Sequence, residues 1–149
     1  MSLDRAKAHL AQFGLEDRIQ LFDVSSATVE LAAQAVGCQP AHIAKTLSFL
    51  LPEGPGLILA AGHARIDNTK YKARFHTKAK MIPHDQVETL IGHGVGGVCP
   101  FGVNGGVPVW LDESLRRFDI VYPAAGTSSS AVKLTLDELE RASLAQGWV

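Results

Sequence analysis

The sequence predicts a single α+β domain in which helices surround a mixed, mostly antiparallel, barrel-like sheet. Segments with alternating apolar residues are interspersed with segments of helical periodicity, and several candidate strands follow one another through short turns. The chain has 149 residues, and no internal repeat or linker divides it, so one domain is expected to span residues 1–149. Hydrophobic residues make up 46% of the chain, which is enough to form a core.

The predicted helices are segments with apolar residues at helical spacing next to residues that start or end helices. The clearest is residues 29–36, which follows cap candidates at 25–28 and ends at Gly37. Pro83 opens another. The predicted helices cover residues 3–13, 29–36, 68–75, 83–91 and 136–144.

The clearest strand is residues 44–51, AKTLSFLL, whose alternation places Lys45, Leu47 and Phe49 on one face. A turn at 52–56 leads to a returning strand at 57–62. The remaining predicted strands cover residues 19–22, 107–111, 118–122 and 131–135.

Composition narrows the class of protein. No stretch approaches the roughly 20 apolar residues of a membrane helix, and the first 14 residues lack the features of a signal peptide, so a cytoplasmic protein with no membrane partner is expected. Cys38 and Cys99 are far apart, and the six histidines form no HxH or HxxxH pair. We therefore expect no metal site and no cofactor.

Residues 92–106, GHGVGGVCPFGVNGG, contain the spacing of a dinucleotide-binding fingerprint at Gly92, Gly94 and Gly97. That fingerprint requires a strand before the first glycine and a helix after the last. Here a predicted helix comes before it, and Pro100 and Gly102 oppose a helix after it. The loop instead favours an apolar pocket wall in which exposed backbone N–H groups approach a ligand closely.

Lys45 is unusual because it shares a strand face with core residues. Burying a lysine is costly unless its charge has a partner or a task. One interpretation is an ammonium that polarises an ester carbonyl or binds a terminal phosphate. The other is a lysine at a frayed strand end whose charge reaches water.

Basic residues concentrate between positions 65 and 80, where only Asp67 opposes them. Such a cluster is typical of a surface that contacts a phosphate backbone, although a solvated helix face has the same composition. The cluster consists of Arg65, Lys70, Lys72, Arg74, Lys78 and Lys80.

Four segments in this order resemble the YbaK/EbsC family, relatives of the insertion editing domain of bacterial prolyl-tRNA synthetase. They are AKTL at 44–47, GGVCPFG at 96–102, VPVWLDESL at 107–115 and AAG at 124–126. The resemblance covers nearly the whole chain and implies the α+β editing fold. It also implies trans-editing, the hydrolysis of the ester that links a wrong amino acid to tRNA, commonly tRNA-Pro.

The same resemblance assigns residues. Lys45 corresponds to the essential lysine, and Gly126 falls in the loop that closes the other side of the pocket. The predicted catalytic residue is Lys45; the predicted substrate-binding residues are Thr46, Gly96, Gly97, Val98, Pro100, Gly102, Gly126 and Ser128. The basic cluster, and not the resemblance, supplies the predicted tRNA-binding residues, which are Lys70, Lys72, Arg74, Lys78 and Lys80.

The implied partners are mischarged aminoacyl-tRNA and, as a second partner, prolyl-tRNA synthetase. Two alternatives stay open, a non-catalytic tRNA-binding module and a hydrolase of small aminoacyl esters. A nucleophilic role for Cys99 also stays open. The sequence does not identify the amino acid that is removed.

Overall fold

The computed structural model describes residues 2–149, and these form the predicted α+β fold. The helices are α1 (Ser2–Ala11), α2 (Val29–Val36), α3 (Asn68–Phe75), α4 (His84–Ile91) and α5 (Leu136–Ala142). The strands are β1 (Ile19–Leu21), β2 (Ala44–Leu51), β3 (Gly54–Ala61), β4 (Val109–Leu111), β5 (Ile120–Val121), β6 (Ser130–Val132) and β7 (Leu134–Thr135). Short 3-10 helices cover Glu16–Arg18, Pro40–His42 and Glu113–Arg117.

The strand pairing is mixed and mostly antiparallel, as predicted. β2 pairs antiparallel with β3, and β3 pairs parallel with β4. Two further antiparallel pairs join β1 to β6 and β5 to β7. Within residues 2–149 these strands form three separate sheets that do not close into a barrel. Isolated bridges, such as Ile43–Tyr122 and Phe49–Met81, add contacts outside the named strands.

Some predicted boundaries are wrong. β3 begins at Gly54 instead of residue 57, because β2 and β3 are joined by a turn of only two residues and stay in register up to the pair Leu51–Gly54. The charged turn after β4 contains the 3-10 helix Glu113–Arg117. The predicted strand at 131–135 is divided into β6 and β7, which pair with different partners.

The β2–β3–β4 sheet separates two apolar clusters. Leu57 and Leu59 of β3 are fully buried in the main core, whereas Ile58 faces an aromatic cluster with Tyr71 and Phe75 of α3. Directly opposite residues on neighbouring strands share a face. Because Thr46 lies opposite Leu59 and Lys45 opposite Ala60, their side chains leave β2 on opposite faces.

The ends of α2 follow the sequence prediction. The Thr28 hydroxyl accepts a hydrogen bond from the Leu31 N–H at 3.1 Å, and Gly37 ends the helix with a φ of 86°. This cap satisfies one of the free N–H groups in the first turn of α2, and residues of that turn and of β2 line the same cavity. The space between these two elements is where the candidate site lies.

Candidate functional site

A cavity of about 210 Å³ lies between β2, the start of α2, residues 81–84 and the glycine loop. Four of the residues predicted for the site line it: Lys45, Thr46, Gly96 and Val98. The structure therefore brings the lysine strand and one part of the glycine loop to the same cavity. Its wall is apolar for the most part, with hydroxyl groups and backbone peptide groups between the apolar side chains.

Lys45 is half-buried, and its ammonium is bound to backbone oxygens. Nζ donates to the Gly62 carbonyl at 3.3 Å and, at shorter range, to the Ala64 carbonyl. The ion pairs within residues 2–149 join Arg18 to Glu138 and Arg116 to Glu113, so no carboxylate pairs with Lys45 there. An ammonium has three donors, which leaves one of them available to a ligand.

The surroundings of Lys45 lower the pKa of its ammonium. Burial away from water is the main cause, and the nearby positive charge of Arg65 adds to it. The carboxylates of Asp112 and Glu30 act in the opposite direction. The result is a lysine that loses its proton more readily than an exposed one.

Thr46 presents a polar atom that lacks a partner. Its Oγ1 is buried and makes no hydrogen bond with any residue of the described chain. Buried hydroxyl groups in folded proteins are usually hydrogen-bonded, so Thr46 is an exception among the residues that line the cavity.

The glycines of the loop differ in what they contact. Gly96 has a φ of 93° and lines the cavity. Gly97 is buried, and a Cβ atom placed on it would lie 2.6 Å from the Gly126 carbonyl carbon and from the Thr127 nitrogen. Gly97 therefore allows two backbone segments of the protein to touch, and the close contact at this glycine is with the protein and not with a ligand.

The other predicted substrate-binding residues lie outside the cavity wall. Pro100 is buried. A Cβ atom on Gly102 or Gly126 would lie 2.5 Å from the carbonyl oxygen of Arg5 or Ser2, so both glycines pack against α1. Ser128 is exposed, and its Cβ atom would be 3.2 Å from a Cβ atom on Gly96. Gly102 and Gly126 thus contact α1, and Ser128 contacts the loop at Gly96.

Cys99 and His93 form a buried pair within this loop. Cys99 Sγ lies 3.5 Å from His93 Nε2, which in turn lies 2.6 Å from the Phe101 carbonyl oxygen. Burial raises the pKa of the Cys99 thiol to about 12 and lowers the pKa of His93. The thiol is thus protonated at neutral pH, which opposes a role as a nucleophile.

The predicted tRNA-binding residues lie on α3 and on the segment that follows it. Lys70, Lys72, Lys78 and Lys80 are exposed. The Arg74 guanidinium stacks over the Trp110 ring at 4.4 Å. The segment then reaches the cavity, because the Lys80 carbonyl accepts a hydrogen bond from the Leu50 N–H of β2 and the next residue, Met81, lines the cavity.

Further residues line the cavity, and among them Ser26, Met81, His84 and Tyr122 were not predicted as site residues from the sequence. Ser26 and Ser130 bring the start of α2 against β6, since Ser26 Oγ donates to the Ser130 carbonyl at 3.2 Å and accepts from the Ser130 N–H at 2.9 Å. Met81, His84 and Tyr122 also line the wall. Their local sequence carries no signal of this position. Only the pairing of distant segments could have identified them.

Two further properties of the described residues bear on function. No three His, Cys, Asp or Glu side chains within residues 2–149 are grouped so that they could hold a metal ion. Over the same residues, no helix has the length and apolar character needed to cross a membrane.

Comparison with known proteins gives a consistent result. A sequence profile described as an aminoacyl-tRNA editing domain matches residues 23–142. An uncharacterized protein of Bacillus subtilis, YwhH, is 44% identical over 153 residues, which cover 100% of this chain and 96% of that protein. A proline–tRNA ligase of Streptococcus sanguinis is 26% identical over 111 residues, which are 72% of this chain but 17% of the ligase.

A solved structure extends this likeness to three dimensions. It belongs to a protein described as a candidate trans-editing enzyme for prolyl tRNA synthetase. The two folds superpose with a TM-score of 0.88 and 31% sequence identity, over 98% of this chain and 94% of the other.

Proposed function

The chain belongs to the family of aminoacyl-tRNA editing domains, and on that premise we propose that it is a trans-acting deacylase that hydrolyses the ester of mischarged tRNA-Pro. Its similarity to a segment of a proline–tRNA ligase and to a candidate trans-editing enzyme for prolyl tRNA synthetase supports the choice of tRNA and of synthetase partner. The observation that carries the proposal is Lys45, a residue of the wall of a small cavity whose ammonium has no carboxylate partner among residues 2–149.

The size of the cavity suits an aminoacyl group. Pockets for drug-sized ligands measure about 300–1,000 Å³, and this cavity measures about 210 Å³. It can enclose a small amino acid, while the ribose and the rest of the tRNA remain outside. Pocket binding alone separates amino acids that differ by one methylene by roughly 10–200-fold, which is why a second hydrolytic site is useful to a synthetase.

The free donor of Lys45 can bind the ester carbonyl oxygen, and N–H groups of the loop at Gly96 can share the negative charge that develops there. A water molecule adds to the carbonyl carbon and forms a tetrahedral intermediate. The bond from carbon to the ribose oxygen then breaks, and that oxygen takes up the proton that the attacking water gave up. The products are the free amino acid and the tRNA. Lys45 acts as an electrostatic catalyst, so no cysteine or serine nucleophile is needed.

The exposed lysines suit the rest of the substrate. Lys80 directly precedes the cavity residue Met81, and Lys78 lies two residues earlier, so a phosphate backbone bound by them would lie near the cavity entrance. Lys70 and Lys72 of α3 extend this positive surface. Arg74 contributes charge while its guanidinium stays stacked on Trp110.

The test measures the release of alanine, serine, threonine and cysteine from the corresponding mischarged tRNA-Pro. Lys45→Ala should lower kcat/KM by about 100-fold or more, the range seen when one donor to a developing oxyanion is removed. Lys7→Ala, which removes an exposed lysine of α1, is the matched control and should leave the rate unchanged. Turnover by Lys45→Ala at the wild-type rate would show that Lys45 is not the catalyst.

The same assay separates the alternatives. A non-catalytic tRNA-binding module would bind tRNA in a salt-sensitive way without releasing amino acid. A hydrolase of small aminoacyl esters would act on an aminoacyl ester without tRNA and would not respond to neutralisation of Lys70, Lys72, Lys78 and Lys80. When these four lysines are neutralised together, the deacylase should show a higher KM for tRNA and a KM that depends less on salt.

A further inference from the structure

The outer edge of β2 is interrupted beside Thr46. At one end, the Ala44 N–H donates to the Tyr122 carbonyl at 3.1 Å. At the other end, the Ser48 carbonyl accepts from the Ile82 N–H at 3.0 Å, and the Leu50 N–H donates to the Lys80 carbonyl at 2.8 Å. Peptide groups of alternate strand residues point to the same side. The groups of Thr46 therefore point outward between these two covering segments.

The opposite strand confirms this direction. Leu57 and Leu59 of β3, which lie opposite Ser48 and Thr46, direct their peptide groups away from β2. The Leu57 N–H donates to the Pro108 carbonyl, and the Leu59 carbonyl accepts from the Asp112 N–H. Within residues 2–149, neither the N–H nor the carbonyl of Thr46 takes part in a hydrogen bond.

The interruption has a cause in the sequence. Ile82 is followed by Pro83, which begins α4, and Tyr122 is followed by Pro123. Proline lacks an N–H and disfavours the continuation of strand pairing. Each covering segment leaves the edge at its proline before it reaches Thr46. Because Thr46, Ile82 and Tyr122 all line the cavity, the open edge faces into it.

The open groups have the number and kind that one amino acid requires. Besides the two groups of Thr46, the Ala44 carbonyl and the Ser48 N–H are open on this edge, so Thr46 is the residue of the described strand with both groups free. In an antiparallel ladder, two opposite residues exchange two hydrogen bonds, from N–H to carbonyl in each direction. An aminoacyl ester carries the matching donor, its α-ammonium, and the matching acceptor, its ester carbonyl.

We propose that the aminoacyl group binds as a strand of one residue beside Thr46, donating from its α-ammonium to the Thr46 carbonyl and accepting at its ester carbonyl from the Thr46 N–H. This inference rests on the deacylase function proposed above. The Thr46 N–H is then a backbone donor to the oxygen on which negative charge develops. Because every aminoacyl ester carries these two groups, they do not distinguish one amino acid from another. The size of the cavity then determines which side chains are accepted.

The test replaces the N–H of residue 46 by oxygen, with the α-hydroxy analogue of threonine introduced by semisynthesis. The side chain is unchanged, so only the main-chain donor is lost. We expect kcat/KM for alanyl-tRNA-Pro to fall by about 100-fold, as for the loss of one backbone oxyanion donor. The same replacement at Ser48, whose N–H is also open on this edge, is the matched control and should change kcat/KM by less than about threefold.

Unchanged turnover by the residue 46 analogue would overturn the inference and leave the deacylase function intact. Absence of turnover by the wild-type protein would instead reject the deacylase function. Circular dichroism and urea unfolding establish that both analogues are folded. The hydrogen bond from the α-ammonium to the Thr46 carbonyl is tested with lactyl-tRNA, in which a hydroxyl replaces the α-ammonium. We expect wild-type kcat/KM to fall about tenfold because a charge-assisted hydrogen bond is lost, and equal rates on lactyl- and alanyl-tRNA would overturn this part of the inference.

Discussion

The two walls of the cavity are built in opposite ways. On β2, Lys45 retains a free donor, the Thr46 hydroxyl lacks a partner in the described chain, and the strand edge beside it is open. On the glycine loop, Gly97 brings the chain into contact with its own backbone at Gly126. Polar groups left without partners indicate where a ligand binds. Glycines indicate where atoms must come close, and here most of those atoms belong to the protein.

The largest expected effect comes from the loop wall. Gly97→Ala should lower the free energy of unfolding by about 3 kcal/mol, because its Cβ atom would collide with backbone atoms that cannot rotate away. Gly94→Ala is the matched control, since the nearest atom to its Cβ would be 3.9 Å away, and a change within about 0.5 kcal/mol is expected. Urea unfolding measures both. If the two variants were equally stable, Gly97 would not be required for the close packing of the loop against the backbone at Gly126.

A smaller effect concerns the β2 wall and its charge. The pKa of Lys45 is lowered in the folded protein, so activity that needs its ammonium is full below that pKa and declines as the pH rises through it. Arg65→Gln removes a repelling charge and should move this alkaline decline to higher pH. Asp112→Asn removes an attracting charge and should move it to lower pH.

The measurement is kcat/KM against pH, after subtraction of spontaneous ester hydrolysis. Movement of the two profiles in opposite directions is the expected result. If both variants followed the wild-type profile, the alkaline decline would not belong to Lys45.

The smallest expected effect concerns Cys99, which lies in the loop but behind the wall. Because burial raises its thiol pKa to about 12, iodoacetamide near neutral pH should leave it unmodified in the folded protein. Cys99→Ala should change kcat/KM by less than about threefold. Mass spectrometry locates the label, and rapid labelling at Cys99 with loss of activity would assign catalysis to the loop wall.

The sequence allowed much of the fold to be predicted, because helix caps and strand alternation are local signals. Residues 29–36 and the following Gly37 form α2 and its C-cap as predicted. Lys45 and Leu47 share a strand face as predicted, since they lie opposite Ala60 and Ile58.

The site was predicted less completely, because it depends on which distant segments meet. The open edge at Thr46 exists only because residues 80–82 and Tyr122 pair with β2 and then leave it. No local pattern encodes such a pairing. Gly102 was assigned to the pocket by the composition of its loop and Gly126 by the family resemblance, yet both pack against α1, a contact across most of the chain.

The prolines that end the covering segments have a consequence for solubility. An exposed strand edge is a template on which another chain can add a strand, and long open edges promote aggregation. Here the gap lies between the Ala44 N–H and the Ser48 carbonyl, both of which are already paired with the protein's own segments. Pro83 and Pro123 thus keep the open edge short enough for the one-residue pairing proposed above and too short to serve as a template for a strand of another chain.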